Sequence, residues 1–164
     1  MFNKKRQKNA GFSLVEVLIG VFIIGVSIVS IIGAYSYLVR AQLRSLDSVK
    51  ATMFLEEGVE VMRSLRDTSW TTKIASLTLG VTYYLSFSTT TATWSTTDTP
   101  QVIDETFYRQ VVLASVRRDI NGDIAISGTT DADARKVTLT VAWPGLNGTS
   151  TRTLSAYLTN LYNN

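Results

Sequence analysis

The 164-residue chain sets 16 Lys and Arg against 13 Asp and Glu, a formal charge of +3, and contains no Cys and no His. Those two absences exclude disulfides, Cys/His zinc sites and nucleophiles activated by histidine. Charged residues make up 18% of the chain, below the roughly 25% of soluble domains, and they are unevenly distributed.

The leader MFNKKRQKNAG holds Lys4, Lys5, Arg6 and Lys8 and no acid. Phe12 to Val39 then form a 28-residue apolar run in which Glu16 is the only charged side chain. A helix of that length reaches about 42 Å, against roughly 30 Å of hydrocarbon in a bilayer. Its apolar residues fall on every side, as in a segment surrounded by lipid or by other helices. The cations place the N-terminus in the cytoplasm and everything after Val39 outside it. A secretory signal has an apolar core of only about 7–15 residues and a small-residue cleavage site, and this segment has neither. A plain single-pass anchor fits the composition. Glu16 argues for more, because a carboxylate inside a membrane helix is costly and needs a partner. A polar or headgroup-level setting is the alternative for it.

Gly11-Phe12-Ser13-Leu14-Val15-Glu16 resembles the cleavage and methylation motif of type IV prepilins and of the pseudopilins of type II secretion. A short basic leader ends in Gly, Phe follows, and a carboxylate stands four residues on, at the start of the apolar helix. The resemblance covers about a quarter of the chain. It implies cleavage between Gly11 and Phe12 by a membrane prepilin peptidase, and N-methylation of Phe12 by the same enzyme. It further implies assembly with other pilin or pseudopilin subunits on an inner-membrane platform, into a type IV pilus or a related filament. Membrane lipid is the partner before assembly. Many major pilins carry a Pro where Gly33 stands here, and Gly is also poor for helix continuity.

Each element of the motif has a physical reason. Gly11 lets a protease approach the backbone closely. Losing the four leader cations leaves 12 basic against 13 acidic side chains, and removes the charges that hold the helix at the cytoplasmic surface. Cleavage creates an amine at Phe12, and methylation keeps its charge. Glu16, one helical turn on, neutralises such an amine on its own chain or on a neighbour. Pairing of that kind selects an axial register between subunits, because an unpaired carboxylate in a low-dielectric bundle is strongly disfavoured.

Arg40 to Asp67 contains no Pro and one Gly. Leu43, Leu46, Val49, Met53, Val61, Met62 and Leu65 recur in it at three- and four-residue spacing. An amphipathic helix is predicted, continuous with the first, running from Phe12 to about Arg66 over roughly 80 Å. Glu56, Glu57 and Glu60 read as a solvated face, with an interaction patch as the alternative. An irregular heptad makes a coiled coil the weaker arrangement.

From Thr68 the composition turns to Thr, Ser, Val, Tyr and Trp, which favour strands and loops. Strands are predicted at Val81–Ser88, Thr106–Val116, Lys136–Trp143 and Thr151–Leu161. Val137, Leu139 and Val141 share one face, as do Leu154, Ala156 and Leu158. Pro144-Gly145 with Asn147-Gly148 predicts a hairpin between the last two strands. Residues 88–99, nine of twelve Ser or Thr with Trp94 among them, read as a surface loop where partners could be met. The expected fold is α+β and pilin-like: one long N-terminal helix on an antiparallel sheet of about four strands. The segments are leader 1–11, membrane helix 12–39, amphipathic helix 40–67 and β-rich domain 68–164.

Other signals have plainer readings. Asp119-Ile120-Asn121-Gly122-Asp123 lacks the Gly and Glu positions of an EF-hand, so an Asn-Gly turn is expected. Asp131 and Asp133 keep an oxygen-ligand calcium site as the alternative. Asn147-Gly148-Thr149 fits a glycosylation acceptor and equally a hairpin turn. Arg117-Arg118 is too short to argue for nucleic acid. No catalytic pair, cofactor or metal is expected, and the chain reads as structural rather than enzymatic. Its C-terminal strand–turn–strand, Val137–Trp143 and Arg152–Tyr157, is similar to minor pilins of the pilus-modification group and to minor pseudopilins. A minor subunit is therefore the finer expectation. The rival is an anchored extracytoplasmic binding domain that never polymerises.

Overall fold

The computed structural model describes residues 11–145 and 148–162. One helix, α1 (Leu14–Thr68), fills the N-terminal part. It is followed by a single π-helical turn at Thr71–Ala75. The strands are β1 (Thr82–Ser88), β2 (Thr93–Thr97), β3 (Val102–Ile103), β4 (Phe107–Arg118), β5 (Ile124–Ala125), β6 (Thr129–Gly145) and β7 (Gly148–Thr159). The chain divides into two compact units, Met1–Leu43 and Arg44–Asn164.

In the first unit the helix runs through Gly20, Gly25 and Gly33 without interruption, so Gly33 does not break it. Its apolar side chains are exposed on every side. The hydroxyls of Ser27 and Ser30 donate to the carbonyls of Ile23 and Val26, at 2.7 and 2.8 Å. These two hydroxyls are therefore satisfied within the helix, as hydrocarbon surroundings require.

The second unit is a sheet with the order β2-β1-β4-β6-β7, with β3 and β5 attached to β4, and every pairing antiparallel. The α+β arrangement of a helix on an antiparallel sheet is as expected, but among the described residues the sheet has seven strands rather than about four. Short strands without strong alternation account for the difference. The Ser/Thr-rich segment 88–99 is not simply a loop, because Thr93–Thr97 pairs along β1 from Ser88↔Thr93 to Tyr84↔Thr97. β6 starts seven residues before the expected Lys136. Its early part pairs with the end of β4 across a register shift at Ser115/Val116.

The core lies between the sheet and the helix from Ala51 onward. Ala51, Leu55, Gly58, Met62 and Leu65 face the sheet at alternating four- and three-residue spacing. They meet Val111, Leu113, Val137, Leu139, Val141 and Leu158. Val137, Leu139 and Val141 point inward as predicted, whereas of Leu154, Ala156 and Leu158 only Leu158 is fully buried. The predicted helix stripe needs correction. Leu43, Leu46, Val49 and Met53 are 57, 57, 54 and 61% exposed. Nine residues, or two and a half turns, separate exposed Met53 from buried Met62, so they lie on opposite sides of the helix. The sheet-facing stripe uses small Ala51 and Gly58, which let the helix approach closely.

Candidate functional site

Gly11, Phe12 and Ser13 precede the helix, and all three are exposed. Ser13 stands at the N-cap: its carbonyl accepts from the N–H of Glu16 at 3.0 Å and of Val17 at 3.2 Å. Glu16 thereby becomes the third helical residue, in the first turn, where a carboxylate complements the positive end of the helix dipole. Ser13 followed three residues on by Glu16 is also the spacing of a capping box. The expected cleavage bond and the carboxylate thus fall within about one turn of each other. The leader cations Lys4, Lys5, Arg6 and Lys8 lie outside the described residues. Among the described residues α1 is the helix long and apolar enough to cross a membrane. Its most apolar 18-residue window has a mean hydropathy of 2.7 and none of it is buried.

The second unit holds a charged constellation the sequence did not reveal. Arg109, on β4, is only 2% exposed. Its Nη1 donates to the Phe54 carbonyl and to Glu57 Oε2, both at 2.9 Å. The Trp94 ring lies over the guanidinium, 5.6 Å from its carbon to the ring centroid. Burial holds this arginine below its usual range, while the charge and hydrogen bond of Glu57 act in the other direction. Its Nε has no hydrogen-bond partner among the described residues. Glu57 is thus an ion-pair partner rather than only part of a solvated face. Trp94 likewise covers Arg109 and packs on Phe87, at 5.1 Å between centroids. Gly58 makes room for this arrangement, because a Cβ there would stand 2.9 Å from Arg109 Cδ and collide with Leu139 Cδ2.

The Asp119 loop has the turn that was expected. Asp119 Oδ1 accepts from the N–H groups of Asn121 and Asp123 at 2.9 and 3.0 Å, and Gly122 takes a φ of +85°. Arg118 Nε donates to Asp131 Oδ2 at 2.6 Å, and its Nη1 to the Gly122 carbonyl at 2.8 Å. The hydrogen bond from Arg118 holds the Asp131 carboxyl below the usual carboxylate range, helped by the N–H of Asp133 and by nearby positive charge. Among the described residues no group of three or more carboxylates converges as a cation site would need. The glycosylation triplet and the hairpin turn both include Asn147, which lies outside the described residues. The strands on either side of it pair through to Gly145↔Gly148.

The family description "Prokaryotic N-terminal methylation motif" matches residues 6–32. No match was found among curated proteins or among solved structures. A long apolar N-terminal helix with this motif fits a single-pass membrane anchor. The chain carries the N-terminal methylation motif that marks type IV prepilins and pseudopilins, a structural rather than enzymatic class.

Proposed function

We propose that the chain is a prepilin or pseudopilin subunit, cut between Gly11 and Phe12, methylated at Phe12 and built into a filament through its apolar helix. The observation that carries this reading is the methylation motif running directly into an exposed apolar helix with one carboxylate in its first turn. Before assembly that surface is covered by lipid, and in a filament by the same helix of neighbouring subunits. Prepilin peptidase acts first, an inner-membrane platform then lifts the subunit, and the chain itself performs no catalysis. The Glu16 carboxylate takes the Phe12 amine of a neighbour as its counter-charge, so that the helices dock at a fixed height.

Intact-mass measurement of the protein recovered from membranes tests the processing step. A chain that begins at methylated Phe12 is expected. A chain that keeps residues 1–11 in cells with an active prepilin peptidase supports the static-anchor rival instead.

A further inference from the structure

The second unit presents two apolar surfaces that none of the described residues covers. One is the loop between β4 and β6, where Ile120 and Ile126 are 100 and 101% exposed and Ile124 is 48% exposed. This knob is stiff. The Asp119 turn, the bond from Arg118 to the Gly122 carbonyl and the Arg118–Asp131 pair fix its base. β5 clips it to β4 through Arg117↔Ala125 and Arg118↔Ile124. Ile124 and Ile126 line a groove of about 290 Å³ together with Arg117, Lys136 and Tyr157. Arg117 and Lys136 form no ion pair among the described residues, so this apolar knob is flanked by available positive charge.

The other surface is the outward stripe of α1. Leu46, Val49, Met53, Glu56 and Glu60 follow one another at alternating three- and four-residue spacing, so they form one line along the helix. Leu46, Val49 and Met53 supply its apolar half. Glu56, exposed and without a partner among the described residues, and Glu60, held only by an exposed neighbour on its own helix, supply an acidic half.

We propose that the isoleucine knob of one copy docks on the Leu46–Glu60 stripe of the next copy. Ile120, Ile124 and Ile126 cover Val49 and Met53, and Arg117 and Lys136 face Glu56 and Glu60. The two surfaces complement each other in both apolarity and charge, and they are different patches. The contact is therefore head-to-tail and propagates rather than closing as a dimer. Three isoleucines bury much less than the roughly 1,200 Å² of a stable interface. The contact thus acts between subunits already held together by their apolar helices, at high effective concentration, and in that sense it rests on the filament reading. A bilayer is a poorer occupant, because the exposed Asp123 stands next to Ile124 and would be carried into the lipid surface.

Because the chain has no cysteine, introduced thiols report this contact unambiguously. The full chain carrying both Ile124→Cys and Met53→Cys is expressed with its assembly system and treated with a short bis-maleimide. The proposal predicts a ladder of cross-linked multimers, and none from Thr153→Cys with Met53→Cys, since Thr153 stands four residues along β7 from Tyr157, about 13 Å from the groove beside the knob. Arg117→Glu or Glu56→Arg, added singly, lowers the ladder yield by about fivefold, and both together restore it to within about twofold. Recovery of the subunit in sheared filaments is scored in parallel. Filaments that contain the subunit but give no ladder overturn the docking while the filament reading stands. Neither filaments nor ladder overturns both. A probe on the Ile124→Cys thiol that is quenched by lipid-borne spin labels in the assembled state assigns the knob to the bilayer and overturns the docking. A ladder that survives Arg117→Glu unchanged also overturns it, since the pairing of charge would then be absent.

Discussion

The Arg109–Glu57 pair has unequal ends, and the inequality predicts which partner matters more. Arg109 is 2% exposed, whereas 45% of the Glu57 side chain faces solvent. Glu57→Ala leaves a buried guanidinium with the Phe54 carbonyl as its remaining oxygen partner and an Nε that already has none. Breaking a buried pair by removing one partner costs about 3–5 kcal/mol. Water at the Glu57 end softens this, so a loss of about 2–3 kcal/mol is expected, against under about 1 kcal/mol for an ordinary exposed helix glutamate. Arg109→Met keeps an unbranched apolar stem beneath Gly58 and frees Glu57 to hydrate, and its expected cost is under about 1.5 kcal/mol. The double variant then resembles Arg109→Met alone rather than the sum of the two. Denaturant unfolding of the full chain in detergent, followed by the fluorescence of Trp70, Trp94 and Trp143, measures all three. Glu57→Ala within about 0.5 kcal/mol of the parent, or Arg109→Met as the more damaging change, would refute the reasoning.

Three further outcomes are expected. Gly58→Val forces its branched side chain into Leu139 and the pinned stem of Arg109. The overpacking of about 1–3 kcal/mol exceeds the helix-propensity gain of under about 1 kcal/mol, so denaturant unfolding should show net destabilisation. Gly128→Ala places a Cβ against the Arg118 carbonyl oxygen at a φ of +140°, where neither backbone can yield. A lowered melting temperature and faster hydrogen exchange in residues 118–128 are predicted. The Asp131 carboxyl has a lowered folded-state pKa, so its contribution is fully present above the unfolded value of about 3.9. That contribution begins to fade near that value and is lost as pH falls through the folded pKa. Melting temperature against pH should therefore fall more steeply below about pH 4 for the parent than for Asp131→Asn.

The parts of the fold that the sequence reveals are those governed by strong periodicity. The apolar run shows α1 because no residue after Ser13 interrupts it. Val137, Leu139 and Val141 show the inner face of β6 because Thr alternates with them. The helix stripe misleads for a physical reason. Large apolar residues recur at helical spacing on the outward side at Leu46, Val49 and Met53, whereas the sheet-facing side uses Ala51 and Gly58, which a hydrophobicity pattern ranks low. β2 is hidden because edge-strand pairing needs backbone groups more than apolar side chains, and nine Ser or Thr in twelve residues read as a loop. At the N-terminal site Gly11, Phe12 and Glu16 are legible as a local motif. Arg109 is not, because its burial depends on Glu57 and Gly58, which stand about fifty residues earlier in the chain. An arginine between inward-facing positions of an apolar strand, Phe107 and Val111, was the available signal.

The central claim is that one carboxylate in an otherwise apolar helix meets the amine that proteolysis liberates. Glu16→Leu, co-expressed with the assembly system, tests it directly when processing and incorporation are measured on the same sample. The account predicts a subunit still cut before Phe12 yet nearly absent from sheared filaments. Incorporation of Glu16→Leu at the parent level, with Phe12 as the mature terminus, would contradict it.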